Sequence, residues 1–249
     1  MIVLKSPQEI GLMWEANQIV AEILNDLKEK AGPGVTTREL DALAEKYIKK
    51  RRARSAFKGY RGYPNCLCTS VNEVIVHGVP SSSELREGDI LSMDCGVYYK
   101  GFYGDAAVTI PIGEIPEETR TLVRTTEECL QRAIDEMKEG NRLSDISFAI
   151  QQHAESRGFS VVRDFVGHGI GRQLHEDPQV PNYGVSGTGV RLKTGMVLAI
   201  EPMVNQGHWS VRILEDGWTA VTSDGSLSAH FEHSVAITEN GPFVLSRLH

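Results

Sequence analysis

Apolar residues recur at helical spacing in two stretches near the start of the chain. The first stretch follows a capping-box pattern, Ser6 with Glu9, has proline at the first helical position, and predicts a helix that extends to about Lys30. A short segment with two glycines and a proline ends this helix. A second helix follows, capped by Thr36 or by Thr37. The chain is therefore predicted to begin with two consecutive helices.

The same order of elements returns in the second half of the chain. Pro116 and the acids after it predict a third helix with apolar positions as far as Met137; Gly140 ends it, and Ser144 opens a fourth. After each helix pair, alternating apolar positions predict strands. They lie around residues 71–76, 90–98 and 103–110, and then around 160–166, 196–204, 211–214, 219–222 and 232–238. This order favours an α+β class, with helices layered on one curved, mainly antiparallel sheet.

Two stretches of the chain repeat one another, and both end in an acid. LREGDILSMD ends at Asp94 and LKTGMVLAIE ends at Glu201, each where an apolar strand would otherwise continue. A second pair of acids opens alternating apolar runs, Asp105 before AAVTI and Glu232 before HSVAI. A shorter pair, VHGV and GHGI, places a histidine ahead of the acids in each half. The repeats predict a metal site on a pseudo-two-fold axis between two related halves.

Length and composition limit the number of domains and the class of protein. We predict a single domain over residues 1–249, with halves of roughly 1–115 and 116–249. A hydrophobic content of 41% and a charged content of 24% are ordinary for a globular protein. The net charge of −7 argues against general nucleic-acid binding. Because no signal peptide or apolar membrane span is evident, we expect a cytoplasmic protein. The four cysteines lack a CxxC spacing and are expected to be free thiols.

The paired acids point to a cation. Alternation places Asp94 on one face of its strand, and the next strand brings Asp105 back after a glycine-bearing turn. If the two residues lie opposite each other, each carboxylate raises the pKa of the other unless a cation intervenes. Glu201 and Glu232 are expected to repeat this arrangement. Four exposed strand acids are the alternative, but acids are depleted in apolar strands.

His168 is the candidate nitrogen ligand. It lies in DFVGHGIGRQLHEDP among glycines that let the backbone turn sharply, and His175 follows in the same segment. A lone histidine is more often structural, but this pair is harder to explain that way. Four carboxylates and one imidazole suit Mn(II), Fe(II), Co(II) or Zn(II) and lack the thiolates of a structural zinc site. Five ligands favour two divalent ions about 3.5 to 4 Å apart, bridged by carboxylate and by a hydroxide that attacks an acyl carbon.

These motifs resemble the type I methionine aminopeptidases along essentially the whole chain. The most specific segments are SVNEVIVHGVP, the hairpin of Asp94 and Asp105, FVGHGIGRQLHEDPQVPNYG, AIEPMV and HFEHSVAIT. The resemblance implies the duplicated pita-bread fold. It also implies removal of the N-terminal methionine from nascent polypeptides when the second residue is small. Two divalent ions are the implied cofactor, with Co, Mn, Fe, Zn and Ni all open.

The resemblance implies a role for each metal-site residue. Asp94 would bind the first ion. His168 and Glu201 would bind the second. Asp105 and Glu232 would bridge both. Glu201 is in addition the family's candidate for moving a proton.

The resemblance also implies a substrate pocket. His77 and His175 match the family's two histidines that are not ligands, which contact the substrate and stabilise the tetrahedral intermediate. The methionine slot would be lined by Tyr60, Tyr63, Cys68 and Trp218, for each of which ordinary core packing is the alternative. Many family members have an aromatic residue where this chain has Leu174, and some have cysteine at the position of Phe57, so the shape of the slot stays open.

A basic segment, residues 49–61, stands out in this acidic chain. Its charged members are Lys49, Lys50, Arg51, Arg52, Arg54, Lys58 and Arg61. One interpretation is a helix end that complements its dipole, followed by a solvated loop. The other is a transient contact with ribosomal RNA near the exit tunnel, which would suit methionine removal during synthesis.

Two other functions are the alternatives to this one. A proline-directed aminopeptidase or prolidase-like dipeptidase of the same fold usually carries a substantial amino-terminal domain, whereas catalytic-type sequence begins here almost at once. A binding protein that had lost its metals would have broken ligands, and here all five acids and imidazoles are present. We expect a monomer without membrane association.

Overall fold

A computed structural model describes residues 1–248. Its helices are α1 Pro7–Lys30, α2 Thr37–Lys50, α3 Glu117–Asp135 and α4 Leu143–Ser156. The predicted capping box of α1 is confirmed, because the Glu9 amide donates to Ser6 Oγ and the Ser6 amide donates to the Glu9 carboxylate. In α2 the cap is Thr36 rather than Thr37, and it forms the same reciprocal pair with Glu39.

The third and fourth helices differ from the prediction at their facing ends. Helix α3 ends at Asp135, two residues before Met137, although the Met137 side chain is fully buried in the core. Helix α4 begins at Leu143, so Ser144 does not open it. The Ser144 hydroxyl is instead bonded to the backbone of Thr188, with Oγ donating to its carbonyl and accepting from its amide at 2.8 Å. The Ser144 hydroxyl therefore makes a tertiary contact and does not cap the helix.

The strands are short apart from the three that carry the acids. They are β1 Arg54–Ser55, β2 Leu67–Val71, β3 Val74–Val76, β4 Ile90–Tyr99, β5 Phe102–Pro111, β6 Ser160–Val161, β7 Gly167–Gly169, β8 Glu176–Val180, β9 Val197–Ile200, β10 Met203–Asn205, β11 Val211–Ile213, β12 Ala220–Thr222, β13 Ser228–His230, β14 Glu232–Thr238 and β15 Gly241–Val244. Strands β4, β5 and β14 confirm three predicted strands to within a residue at either end.

Two predicted strands are interrupted. The strand predicted at 71–76 is split into β2 and β3 by Asn72, which adopts a left-handed φ of 55° and accepts the Ile90 amide on its side-chain oxygen. The strand predicted at 196–204 breaks after β9 at Glu201 and Pro202, since proline cannot donate to a ladder. Only the first two residues of the strand predicted at 160–166 are extended in β6. Strands β1, β7, β8, β13 and β15 were not predicted.

One nine-stranded sheet organises the molecule, and every strand pair in the described chain is antiparallel. Its order is β1-β4-β5-β14-β9-β7-β8, with β2 beside β4 and β15 beside β14. The two sequence-related strand pairs, β4 with β5 and β9 with β14, thus lie symmetrically about the β5–β14 junction. Strands β13-β10-β6 and β11-β12-β3 form two smaller sheets.

Each helix pair buries one part of the sheet. Helices α1 and α2 pack with β2, β4 and β5 around a core that includes Leu27, Leu40 and Leu91. Helices α3 and α4 pack with β9, β13 and β14 around a second core that includes Leu122 and Ile146. All four cysteines are buried and unpaired, as expected. Among residues 1–248 no helix combines the length and the apolar character needed to cross a bilayer.

Candidate active site

Two of the predicted acids stand in one row across the centre of the sheet. Asp94 in β4 is paired with Ala107 in β5, and Ala107 is paired with Glu232 in β14. Paired residues share a face, so both carboxylates point the same way. Asp105 lies two residues before Ala107 and therefore shares this face. Asp94 and Asp105 do not lie directly opposite each other, because the register places Gly96 opposite Asp105.

Glycine is required at that opposing position. A Cβ on Gly96 would lie 2.7 Å from Phe57 Cε1, 2.9 Å from Ala56 Cβ and 3.1 Å from Asp105 Oδ1. The missing side chain leaves room for the Asp105 carboxylate. The Asp105 backbone is fixed as well, since its amide donates to Asn17 Oδ1 at 3.2 Å and its carbonyl accepts from Ser234 Oγ at 2.8 Å.

The second half supplies an imidazole and the fourth acid. His168 in β7 is paired with Ala199 in β9, and Glu201 follows Ala199 by two residues on the same face, just beyond the end of β9. His168 Nε2 lies 3.5 Å from Glu201 Oε1. Because His168 Nδ1 lies 2.9 Å from the carbonyl of Gly169, we assign its proton to Nδ1, which leaves Nε2 free as a ligand atom.

The donor atoms fit a metal. Asp105, His168 and Glu232 each offer a ligand atom, and these atoms lie within 4.8 Å of one another. Asp94 Oδ1, Asp105 Oδ1 and Glu232 Oε1 are buried and have no hydrogen-bond partner within residues 1–248. Buried polar atoms are rarely left unpartnered in native proteins. Unpaired carboxylate oxygens beside an imidazole nitrogen are what a divalent cation requires.

The electrostatics lead to the same conclusion. Burial raises the pKa of Asp94 from 3.8 to about 7. Burial, and then the charges of Glu232 and Asp94, raise the pKa of Asp105 well above its usual range. Burial also raises the pKa values of Glu201 and Glu232, each with further contributions from neighbouring acids. Without a cation these four groups cannot all be ionised together near neutral pH.

The two predicted catalytic histidines lie beside this cluster. His77 adopts a left-handed φ of 59° and meets the rings of Phe165 and Trp218 edge-on, at centroid distances of 5.3 and 6.4 Å. Burial lowers its pKa to about 4. The His175 ring lies 4.3 Å from that of His168, centroid to centroid, and its Nδ1 lies 2.7 Å from the Tyr60 hydroxyl. Burial, and then the charge of Arg61, lower the pKa of His175.

All eleven predicted site residues line one cavity of about 280 Å³. The proposed methionine-slot residues form its apolar part, with Tyr63 edge-on to Trp218 at a centroid distance of 5.2 Å. Phe57 and Leu174 also line it, so both departures from the family pattern touch the pocket.

Three residues of the site were missed at the sequence level. Arg61 and Phe165 line the cavity, and the buried His230 places Nε2 3.9 Å from Glu201 Oε2. Phe165 and His230 lie within the segments FVGHGIG and HFEHSVAIT, whose chemistry could have drawn attention to them.

Comparison with known proteins agrees with this geometry. The model of metallopeptidase family M24 matches residues 11–239. The chain belongs to metallopeptidase family M24. Membership means that it is a hydrolase that uses divalent metal, and the predicted resemblance to methionine aminopeptidases is confirmed by relatives within the family.

Those relatives match over the full chain. The methionine aminopeptidase of Clostridium perfringens is 56% identical, with 99% of each chain covered. Methionine aminopeptidase 1 of Bacillus subtilis is 52% identical, with 100% of each covered. The crystal structure of methionine aminopeptidase from Thermotoga maritima superimposes with a TM-score of 0.98 at 53% identity, again over 100% of each chain.

Prolidases share the fold with this chain at a much lower sequence identity. The prolidase from Pyrococcus furiosus gives a TM-score of 0.81 at 24% identity, covering 99% of this chain and 66% of its own. Together with the methionine aminopeptidases, it confirms the α+β pita-bread fold, and the prolidase alternative is not favoured.

Proposed function

We propose that this chain is a metallo-aminopeptidase that removes the N-terminal methionine from nascent proteins and peptides when the second residue is small. The observation that carries the proposal is the convergence of four carboxylates and a buried imidazole on one cavity, next to an apolar slot, with the carboxylates of Asp105 and Glu232 buried as well. The identities above 50% to methionine aminopeptidases of two bacteria support methionine as the residue removed.

Five side chains are proposed to hold two divalent ions. Asp94 would bind one ion, His168 and Glu201 the other, and Asp105 and Glu232 would bridge the pair. The three mutually close donor groups and the unpartnered carboxylate oxygens support this assignment. When bound, such ions activate water and polarise the scissile carbonyl. Co, Mn, Fe, Zn and Ni all stay open as the ion used.

The histidines that are not ligands would stabilise the developing oxyanion. The lowered pKa values keep His77 and His175 uncharged near neutral pH. A neutral imidazole has one N–H, so the hydrogen bond at Nδ1 decides which nitrogen donates. If the Tyr60 hydroxyl donates to Nδ1 of His175, then Nε2 carries the proton and can donate to the substrate. Glu201, whose pKa is raised, would carry a proton towards the leaving amine.

Specificity would come from the two ends of the cavity. Tyr63 and Trp218, with Tyr60 and Cys68, offer polarizable apolar contacts to a methionine side chain. The side chain of the second substrate residue would sit beside the ligands, where the walls cannot move without disturbing them. We therefore expect efficient cleavage before Ala, Gly, Ser or Thr and poor cleavage before Leu, Lys, Phe or Arg.

A peptide assay tests this function. The protein is stripped with a chelator, refilled with each candidate ion, and assayed on Met-Ala-Ser, Met-Lys-Ser, Leu-Ala-Ser and an Xaa-Pro peptide. We expect a high kcat/KM for Met-Ala-Ser alone. Comparable values for Met-Ala-Ser and Met-Lys-Ser would indicate a broad aminopeptidase, and preference for the Xaa-Pro peptide would indicate a prolidase-like enzyme.

The wider setting is also proposed. We infer a cytoplasmic monomer with a single catalytic domain over residues 1–249, and the symmetric strand order about β5 and β14 supports halves of roughly 1–115 and 116–249.

A ribosome contact through residues 49–61 would use the basic side chains of this segment that are not paired with an acid. Lys49 and Lys58 pair with Glu45, and Arg51 pairs with Glu22. Salt-dependent co-sedimentation with ribosomes tests that contact.

A further inference from the structure

A second, larger cavity adjoins the active site. It has a volume of about 740 Å³ and shares three lining residues with the 280 Å³ cavity, namely Arg61, His168 and His175. We call it the outer groove. Because the two cavities share these side chains, a peptide whose first residue lies in the active-site cavity can leave it through the outer groove.

The charged groups that line the outer groove are largely paired with one another. The Met1 ammonium lies 2.5 Å from Asp177 Oδ2. The Lys5 ammonium lies 2.6 Å from Glu176 Oε2. Arg172 lies 3.1 Å from Glu9 Oε1. These three pairs cancel most of the charge of the groove.

Arg61 is the exception. No carboxylate within residues 1–248 forms an ion pair with it, and its guanidinium lies 5.4 Å from the centroid of the Tyr60 ring. Apart from the two histidines of the lining, His168 and His175, Arg61 is the one titratable side chain of the outer groove without an oppositely charged partner within residues 1–248. An uncompensated cation beside a substrate path attracts anionic groups and disfavours cationic ones.

The backbone holds Arg61 at this place at some cost. Arg61 has a left-handed φ of 48°, and Gly59 and Gly62 have φ values of 88° and 91°. A left-handed conformation is unfavourable for arginine, and such strain concentrates at functional sites. The turn presents Tyr60 to His175 and Arg61 to the boundary between the two cavities.

We propose that Arg61 binds an acidic side chain of the substrate at the third residue or beyond, and so determines a preference for acidic over basic residues downstream of the cleaved bond. The proposal rests on the proposed function, since it assumes a peptide whose N-terminal residue occupies the active-site cavity. The second residue is excluded as the partner because its side chain would lie at the ligands.

The test uses peptides that differ only downstream. The series is Met-Ala-Ser-Ser-Ser with Asp or Lys placed in turn at the third, fourth or fifth position, all amidated at the carboxyl end. For the metal-loaded protein we expect kcat/KM to be about two- to fivefold higher for Asp than for Lys in at least one position, as for exposed charge pairs. The ratio should shrink at high salt.

Variants separate the charge from the backbone. Arg61→Asn removes the charge while tolerating a left-handed φ, so the Asp-to-Lys ratio should fall to about one. Arg61→Lys keeps the charge and should retain most of the preference for Asp, and Arg61→Glu should reverse the preference. Lys58→Gln is the matched control, because Lys58 is a nearby cation that lines neither cavity and pairs with Glu45. Its ratio should equal that of the unmodified chain.

Two results overturn the proposal. One is an Asp-to-Lys ratio near one at all three positions in the unmodified chain, and the other is a ratio that Arg61→Asn leaves unchanged. Failure of the proposed function is distinct, because it would abolish cleavage of Met-Ala-Ser with every ion.

Discussion

The hydroxyl of Tyr60 lies 2.7 Å from Nδ1 of His175, although 115 residues separate the two in the chain. His175 Nε2 has no hydrogen-bond partner within residues 1–248, so this single bond orients the ring toward the cavity. Tyr60 therefore has two proposed roles: it lines the methionine slot, and it positions a catalytic histidine.

Tyr60→Phe isolates the second role. The ring and its apolar contacts stay, while the hydrogen bond, worth about 0.5–1.5 kcal/mol, is lost. We expect kcat for Met-Ala-Ser to fall about two- to tenfold with metal content unchanged. Tyr98→Phe is the control, because the Tyr98 side chain lies outside the active-site cavity. A change in KM alone would show that the hydroxyl serves substrate binding only.

His77 is predicted to act on the transition state and not on the metal. His77→Asn is preferable to alanine here, since asparagine tolerates the left-handed backbone of this position. Loss of one oxyanion donor typically lowers kcat about 10²- to 10³-fold. We expect that loss with full metal stoichiometry, measured by elemental analysis. If the variant loses an ion instead, His77 is a ligand and the five-ligand assignment is wrong.

Lys5 is predicted to matter for stability. Its ammonium is bonded to Glu176, and their side chains are only 4% and 12% exposed. The Glu176 carboxylate also accepts the amides of Arg172 and Gln173, ahead of His175. Lys5→Met leaves this carboxylate without its cation, which costs about 3–5 kcal/mol for buried pairs. Urea unfolding should show this loss, and Lys5→Met with Glu176→Gln should lose less. Equal losses in the two variants would contradict a paired charge.

Asp94 should contribute a loss of stability to the metal-free protein as the pH rises. The folded-state pKa of Asp94 is about 7, above its ordinary value of 3.8, so the protonated form is favoured by folding. The stability that this group contributes is complete below about pH 3.8 and is lost as the pH rises through about 7. Between about pH 4 and about pH 7, the melting temperature of the chelated protein should therefore fall relative to that of chelated Asp94→Asn.

Two controls accompany the pH series. Metal-saturated protein should show a weaker fall, because a cation favours the ionised carboxylates. Metal-free Asp94→Asn should also show a weaker fall, since one titrating group is gone. Parallel profiles of melting temperature against pH for the chelated unmodified protein and chelated Asp94→Asn would contradict the raised pKa of Asp94.

The chemistry of the site was readable from the sequence because acids interrupt apolar strands. Asp94, Asp105 and Glu232 lie on strands whose alternation was clear, and the structure places them on one face. The register was not readable, because it depends on the tight turn between β4 and β5. That turn sets Asp105 opposite Gly96, and a shift of two residues keeps the face but changes the pairing.

Contacts between distant segments explain what the sequence did not reveal. Serine is a common helix cap, but the Ser144 hydroxyl is hydrogen-bonded to the backbone of Thr188 in another part of the chain. The groove charges of Met1 and Arg172 find partners far away in sequence, which leaves Arg61 alone. Such relationships arise only when the halves fold together.

The decisive measurement couples metal binding to turnover. Chelated protein is titrated with Mn²⁺ by calorimetry while hydrolysis of Met-Ala-Ser is followed, for the unmodified chain and for Asp105→Ala. We expect two binding events, activity only when metal is present, and weakened binding of both ions with nearly abolished turnover in the variant. Undiminished turnover in chelated protein, or two unimpaired metal sites in Asp105→Ala, would contradict a bridged pair of ions at this site.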